Sequence, residues 1–243
     1  MENILDLYRH KSQLELLVRK QTEKIEKQAQ EMQNHLIDAV SAVVEFRDVE
    51  SGQHIIRIKG FTKILAECVR KTHKEYGLTA EKVEKIVQAA AMHDIGKIAI
   101  PDSILLKPGK LTADEFDVMK THTTKGCGIL KSMDFINDKE FYGYCYDICR
   151  YHHEKYDGKG YPEGLSGDVI PIAAQIVSLA DAYDALVSER VYKSAYSTEK
   201  AYEMIVHGEC GMYNPSLIEC FTMVKKDFEE LAKQLHDQDS EEA

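Results

Sequence analysis

The sequence predicts an all-α fold, and two observations support that prediction. Residues 3–47 contain neither proline nor glycine and are rich in the helix formers Leu, Glu, Lys and Gln. From Phe46 onward, segments with a helical period of apolar residues alternate with short loops. No segment alternates apolar and polar residues for long, so at most a short β-hairpin is expected, near residues 161–171.

The predicted N-terminal helix, residues 1–38, carries a heptad repeat with one apolar seam. The members of this seam are Val18, Ile25, Met32 and Ala39. The companion seam turns polar after Leu14. A single apolar seam predicts a modest two-stranded coiled coil that makes the chain a homodimer and could carry a signal. The alternative is a solvated helix that packs on its own domain.

A larger helical unit is expected over residues 39–233. Its predicted helices cover residues 55–76, 79–92, 112–124, 126–133, 141–152, 172–187, 198–207 and 215–235. Thr112 and Glu115 form a capping box, and Thr79 and Ser197 precede similar helix starts. The long irregular stretch at 98–111 is typical of a functional loop. Residues 234–243 are expected to form a disordered acidic tail.

Charge and cysteine content narrow the class of protein. A net charge of −10 argues against a nucleic-acid polymer or an anionic membrane as partner, because both require a basic surface. No apolar run reaches the ~20 residues that a membrane helix needs. The six cysteines form no CxxC pair, and the N-terminus has no signal-peptide pattern. We therefore expect reduced thiols in a cytoplasmic protein.

The most informative segment is residues 152–162, HHEKYDGKGYP. Adjacent histidines are rare on a surface and costly in a core, and neutral imidazole is the commonest metal ligand among side chains. The glycines and the proline that follow indicate a tight loop that lets a charged ligand approach the backbone. The segment predicts a metal site beside a phosphate-binding loop.

Other histidines and acids could complete such a site. His54, His93 and His122 lie at the edges of predicted helices, and a carboxylate inside the apolar run 176–186 is costly unless it is paired. Two acids, Asp181 and Asp184, fall in that run. The inventory exceeds what one ion needs and favours two ions that share a ligand, with Fe, Mn or Zn suited to nitrogen and oxygen donors. A histidine satisfied within the core is the alternative for His93.

Four motifs in order carry a resemblance to a known family. They are HDIGK at 93–97, HHE at 152–154, DGKGYP at 157–162 and DAYDAL at 181–186. The chain resembles the HD-GYP phosphodiesterases, a branch of the HD-domain metal-dependent phosphohydrolases, from about Ala39 to Leu231. The resemblance implies an all-helical domain that hydrolyses cyclic di-GMP to pGpG and in some members on to GMP. Cyclic GMP-AMP or another nucleotide as substrate, or a receptor without turnover, are the alternatives.

The resemblance also implies a set of metal ligands. They are His54, His93, Asp94, His122, His152, His153 and Asp181, with Asp94 as the carboxylate that bridges two ions. Glu50, four residues before His54, predicts a third ion, and Asp48 is a weaker helper. Two or three divalent ions are expected, with iron favoured and manganese as the alternative. Asp184 matches a position that supports the structure around the ligands.

Catalysis and substrate binding are assigned by the same resemblance. A hydroxide between two ions is expected to attack phosphorus in line. Lys97 and Asp94 are the catalytic residues, with Lys97 near the scissile phosphate. Arg190 and Lys193 are expected to bind a phosphate of the substrate. Tyr161 would stack on the ligand or bond to it, and Gly160 would give the ligand room at the backbone.

Overall fold

A computed structural model describes residues 2–48, 53–133, 135–136, 138–188 and 195–242, with side chains from Tyr8 to Leu235. The helices are α1 (Glu2–Arg47), α2 (Gln53–Thr72), α3 (Ala80–Ala90), α4 (Asp102–Leu105), α5 (Ala113–Lys120), α6 (His122–Leu130), α7 (Lys139–Tyr151), α8 (Ile172–Val187), α9 (Thr198–Val206), α10 (Pro215–Met223) and α11 (Lys225–Glu242). Short 3₁₀ turns cover Lys74–Tyr76, Ile95–Ala99 and Gly167–Val169. Over these residues the predicted all-α fold is confirmed.

The region expected to hold a hairpin contains a single antiparallel bridge between Asp157 and Ser166. Within the described ranges no longer strand accompanies it. The loop that follows the double histidine is therefore organised by its turns and side chains, not by a sheet.

Helix starts follow the predicted capping chemistry. The Thr112 hydroxyl accepts a hydrogen bond from the N–H of Glu115, whose carboxylate accepts from the N–H of Thr112. Thr79 and Ser197 likewise accept bonds from backbone N–H groups in the first turns of α3 and α9. These caps satisfy donors that a helix leaves unpaired at its N-terminus, and the prediction is confirmed.

Helix boundaries differ from the prediction in four places. The predicted helix at 112–124 divides at Thr121, so that His122 opens α6, and the one at 215–235 divides at Val224. The irregular stretch at 98–111 contains α4. The backbone of α11 stays helical to Glu242, where the composition had predicted a disordered tail from residue 234. Residues 225–242 contain no glycine or proline to end the helix.

The chain divides into two compact units, residues 1–37 and 38–243, and the predicted boundary lies one residue later. The first unit is helical, and its heptad residues Val18, Ile25 and Met32 are 57%, 56% and 61% exposed. The function of each unit stays a prediction. Within the described residues, no helix is both long enough and apolar enough to cross a membrane.

The core of the second unit is an aromatic cluster between α2, α8, α10 and α11. Phe61 and Phe228 stack with ring centroids 4.9 Å apart, and Tyr183 meets both rings edge to face. All three side chains are fully buried. Each such ring contributes about 1.5–3 kcal/mol by leaving water. This packing fixes α2 against α8, and both helices carry predicted ligands.

Candidate metal centre

Five of the predicted ligands lie at or near the ends of helices. His54 falls in the first turn of α2, and His122 opens α6. His152 follows the last residue of α7, and His93 with Asp94 lies between α3 and the 3₁₀ turn Ile95–Ala99. All five side chains are buried. The packing of α2, α3, α6 and α7 thus brings residues distant in sequence into one buried site.

The Asp94 carboxylate lies at the middle of three imidazoles. Its Oδ1 atom is 3.2 Å from Nε2 of His122 and 3.6 Å from Nε2 of His152. Its Oδ2 atom is 3.3 Å from Nε2 of His93. The ligand atoms of Asp94, His122, His152 and His153 all lie within 4.8 Å of one another. The structure therefore brings together four of the predicted ligands around one point.

The tautomers of these histidines are set by the backbone. The Nδ1–H groups of His93, His122 and His152 donate to carbonyl oxygens at 2.9, 2.8 and 2.9 Å. The acceptors belong to Ala90, Met119 and Ile148. Each ring therefore turns its Nε2 atom toward Asp94, as metal-binding histidines turn theirs toward the ion.

This arrangement fits a divalent cation. The Nε2 atoms of His93, His122 and His152 and the Oδ1 atom of Asp94 are buried and have no hydrogen-bond partner within the described part of the chain. Lone pairs that face one another in a dry site repel, and buried polar atoms rarely stay unsatisfied. An ion bound by imidazole nitrogen and carboxylate oxygen would satisfy all four atoms.

The electrostatics around Asp94 also favour a cation. Burial by itself lowers the pKa of His93, but the negative charges of Asp94, Asp181 and Glu45 outweigh it and raise that pKa to about 10. The surrounding carboxylates thus favour positive charge at His93. Burial lowers the pKa of His152 and holds the pKa of His153 well below its usual value. Both rings are therefore neutral and able to bind a metal at neutral pH.

A second group of ligand atoms contains a residue that the sequence analysis missed. Atoms of Glu45, His54 and His93 lie within 4.8 Å of one another. Burial raises the pKa of Glu45 to about 7, although the charges of His54 and Lys97 oppose the shift. The signal was present in the sequence, because Glu45 ends the apolar run Ala42–Val44. Asp181 was selected for the same reason, because it is an acid within an apolar run.

Asp184 orients His54, which agrees with its expected supporting place. Its Oδ2 atom accepts a hydrogen bond from Nδ1 of His54 at 2.7 Å, and Arg57 Nε donates to its Oδ1 atom at 2.6 Å. Burial raises the pKa of Asp184, but these donors outweigh it and hold that pKa below its usual value. Asp184 is therefore a buried anion that fixes the imidazole of His54.

Lys97 reaches the site from the 3₁₀ turn. Its ammonium group donates to Oδ2 of Asp94 at 2.9 Å and also bonds to Asp48. Arg47 holds the turn by donating to the carbonyl oxygens of Lys97, Ile98 and Ile100 at 2.9, 2.7 and 2.6 Å. Asp48 therefore forms an ion pair with Lys97 and lies beside the ligand atoms that surround Asp94.

The glycine-rich loop is built on Glu154. This buried carboxylate accepts three backbone N–H bonds, at 2.8, 3.1 and 3.0 Å, from residues 163–165. The ring of Tyr161 stacks on His153 with centroids 4.7 Å apart. Gly160 lies against the backbone of residues 153–155, where an added Cβ would meet atoms at 2.4–2.5 Å. The space at Gly160 is therefore filled by the double-histidine segment, although the sequence had predicted room for the ligand there.

Gly160→Ala is expected to destabilise the fold by about 1–3 kcal/mol, because the new methyl group overlaps backbone atoms that cannot turn aside. The displaced segment carries His153, so metal content should fall as well. Gly143→Ala is the matched control, since Gly143 lies inside α7 with open space around it and the change should stabilise by about 0.5–1 kcal/mol. Urea unfolding measures both. Equal stability of the two variants would contradict this packing.

The remaining predicted residues lie apart from the two groups or outside the described residues. Asp181 lies on α8, half-buried, and its charge acts on His93 and Tyr161, but its ligand atoms fall in neither group. Glu50, Arg190 and Lys193 lie outside the described residues. The assigned roles of all these residues stay predictions.

Comparison with known proteins identifies the family. The family model described as HD domain matches residues 15–217. The chain belongs to the HD-domain family. A probable cyclic di-GMP phosphodiesterase of Vibrio cholerae is 39% identical to this HD-domain protein over 212 residues, 86% of this chain and 48% of that relative. The 3'3'-cGAMP-specific phosphodiesterase 2 of the same organism is 37% identical over 189 residues, 78% of this chain and 34% of the relative.

A solved structure shows the same fold. The HD-domain chain superposes on Bd1817, an HDG"Y"P protein from Bdellovibrio bacteriovorus, with a TM-score of 0.53. The two are 19% identical, and the match covers 79% of this chain and 63% of that one. The predicted family is confirmed. The chain spans about half the length of the curated relatives it matches, such as 48% of the first.

Proposed function

We propose that this HD-domain chain is a metal-dependent phosphodiesterase that hydrolyses cyclic di-GMP to pGpG, with GMP as the final product if pGpG is cleaved in turn. One observation carries the proposal: three buried imidazole Nε2 atoms surround the Asp94 carboxylate, and no described residue forms a hydrogen bond with them. Relatives with the names of cyclic dinucleotide phosphodiesterases support the choice of substrate class.

The proposed ions would be held by the residues of the two groups. The first ion site comprises Asp94, His122, His152 and His153, and His54 and His93 of the second group would serve another ion. Asp181, whose atoms fall in neither group, is proposed as a further ligand of that second ion on the resemblance to the family alone. Two or three divalent ions fit this set, with iron favoured and manganese as the alternative, because both accept nitrogen and oxygen donors. When bound, such ions lower the pKa of water and neutralise charge on phosphoryl oxygens.

Lys97 is proposed to bind the scissile phosphate of the substrate. Two carboxylates, Asp94 and Asp48, hold its ammonium group at the edge of the site. A lysine in that place can donate to a non-bridging oxygen, where charge builds up in the transition state, or protonate the leaving oxygen. Asp48 would then act on the substrate through Lys97.

Recognition of the rest of the substrate is proposed for three residues, and a fourth, Gly160, shapes the loop that carries one of them. Arg190 and Lys193 would hold a phosphate, with Arg forming a paired bond and Lys a point charge. Tyr161, already stacked on His153, offers its outer face or hydroxyl to the ligand. Gly160 contributes by allowing the loop to close on the double-histidine segment, since an added Cβ would overlap backbone there.

The choice between cyclic di-GMP and cyclic GMP-AMP needs a direct comparison, because relatives of both names match the chain. We expect the iron- or manganese-loaded chain to hydrolyse cyclic di-GMP with a higher kcat/KM than 3'3'-cGAMP, 2',3'-cAMP or dGTP. Faster turnover of 3'3'-cGAMP would reassign the substrate. Bound cyclic di-GMP without any pGpG would instead support a receptor.

The N-terminal helix is proposed to make the chain a homodimer. The exposure of Val18, Ile25 and Met32 along one seam supports a coiled coil with a second copy. Deletion of residues 1–35 is expected to convert a dimer into a monomer, measured as mass by light scattering. A full-length chain that is already monomeric, or a deletion that stays dimeric, would contradict this assignment.

A cytoplasmic location without a nucleic-acid polymer as partner completes the proposal. All six cysteines are free thiols, and five of them are buried. Free thiols in this number suit a reducing compartment. The net charge of −10 disfavours a polyanion as partner.

A further inference from the structure

Glu45 is a deeply buried acid that the proposed ligand set leaves out. It lies near the C-terminal end of α1 with 2% of its surface exposed. Its Oε2 atom has no hydrogen-bond partner within the described ranges. A carboxylate in that state is costly, because burial removes the water that would stabilise its charge. A cation is therefore expected beside the carboxylate of Glu45.

The position of Glu45 is fixed on both sides along α1. One turn earlier, the Ser41 hydroxyl contacts Sδ of Met92 at 3.5 Å, next to His93 in sequence. Two residues later, Arg47 donates to the carbonyl oxygens of Lys97, Ile98 and Ile100. The segment that carries His93 and Lys97 is thus held to α1 on either side of Glu45. The carboxylate reaches the site because of this packing and does not depend on a loop.

The neighbours of Glu45 present metal-binding atoms. The Nδ1 atom of His54 is hydrogen-bonded to Asp184, and the Nδ1 atom of His93 is hydrogen-bonded to the carbonyl oxygen of Ala90. Nε2 is therefore the nitrogen that each ring offers, and these atoms lie within 4.8 Å of a Glu45 oxygen. The negative charge of Asp94 also acts on Glu45. A cation between these groups would lie within bonding reach of both rings and of Glu45, and it would relieve the repulsion between the two carboxylates.

We infer that Glu45 is a carboxylate ligand of a divalent ion that His54 and His93 also bind. This inference rests on the proposed metal centre and adds a ligand to it. Glu45 would then be the acidic ligand of the ion at His54. The sequence had predicted that role for Glu50, four residues before His54. The ion at His54 should then persist when Glu50 is replaced, because its acidic ligand comes from α1.

The test is the metal content of the full chain after anaerobic purification in iron or manganese. Wild type is compared with Glu45→Gln and Glu50→Gln, which keep side-chain size and remove one negative charge. We expect Glu45→Gln to lose about one ion per chain and Glu50→Gln to keep the wild-type content. A Glu45→Gln chain with the full wild-type content overturns the inference, as does loss of an ion only in Glu50→Gln.

Two further measurements distinguish the loss of a ligand from misfolding of the variant. Glu45→Asp keeps the charge and should retain the ion with affinity reduced by about 10–100-fold. Anomalous diffraction from wild-type crystals should show an ion bonded to a Glu45 oxygen, and an ion seen only on other ligands overturns the inference. A wild-type chain that binds no ion overturns the proposed metal centre as well, whereas normal turnover with Glu45 unbonded leaves the proposed function standing.

Discussion

Asp94→Asn is expected to lower kcat for cyclic di-GMP by ~10³-fold or more and to reduce metal content. The amide keeps the shape of Asp94 but loses the charge that faces three imidazoles and Lys97. Stabilisation of transition-state charge by bound ions amounts to several kcal/mol, and each 1.36 kcal/mol is tenfold in rate. Steady-state kinetics and metal analysis of the same sample measure both effects.

The control for Asp94→Asn is Asp117→Asn, an exposed acid on α5 whose ion pair with Lys120 is on the surface. It should leave kcat and metal content at wild-type values, because exposed pairs contribute about 0–1 kcal/mol. An Asp94→Asn chain that keeps more than a tenth of the wild-type kcat at full metal loading would show that this carboxylate does not organise the centre.

Asp184→Ala is expected to cost about 3–5 kcal/mol of unfolding free energy, because it removes the buried acceptor of Arg57 and His54. The melting temperature should fall by roughly 6–20 °C for a chain of this size. Loss of the bond that orients His54 should also weaken metal binding by about 10–100-fold. Thermal and urea unfolding of the metal-free chains, followed by metal titration, separate the two effects.

The effect of Asp184→Ala should depend on pH with a definite sign. The pKa of Asp184 is lower in the folded chain than its ordinary value of 3.8, so the stabilisation is present above 3.8. It is lost as the pH falls through the folded pKa, and the gap between wild type and variant should then shrink. Lys63→Ala, which breaks an exposed pair with Glu84, is the control and should cost less than about 1 kcal/mol. A gap that stays constant in strong acid would contradict a charged Asp184.

Local sequence patterns predicted the features that local chemistry decides. The capping box at Thr112 involves residues three positions apart, and the N-terminal helix needs only an absence of proline and glycine. His93, Asp94 and His152 could be selected because they stand in motifs that resemble those of a known family. Their convergence on Asp94 depends on the packing of four helices. The motifs identify the ligands but do not show how these helices pack.

The features that the sequence missed depend on contacts between distant segments. Glu45 meets His54 and His93, which lie 9 and 48 positions further along the chain. Gly160 had been interpreted as room for a ligand, but the backbone of residues 153–155 occupies that space. In both cases the residue type was informative, and the identity of the neighbour was available only from the fold.

The most direct test of the metal-dependent phosphodiesterase is one anaerobic preparation used for two measurements. Metal is quantified first, and the same sample is then given cyclic di-GMP while nucleotides are separated by chromatography over time. The structure around Asp94 predicts at least two iron or manganese ions per chain and the appearance of pGpG as cyclic di-GMP disappears. A fully loaded chain that binds cyclic di-GMP and yields no pGpG would contradict it.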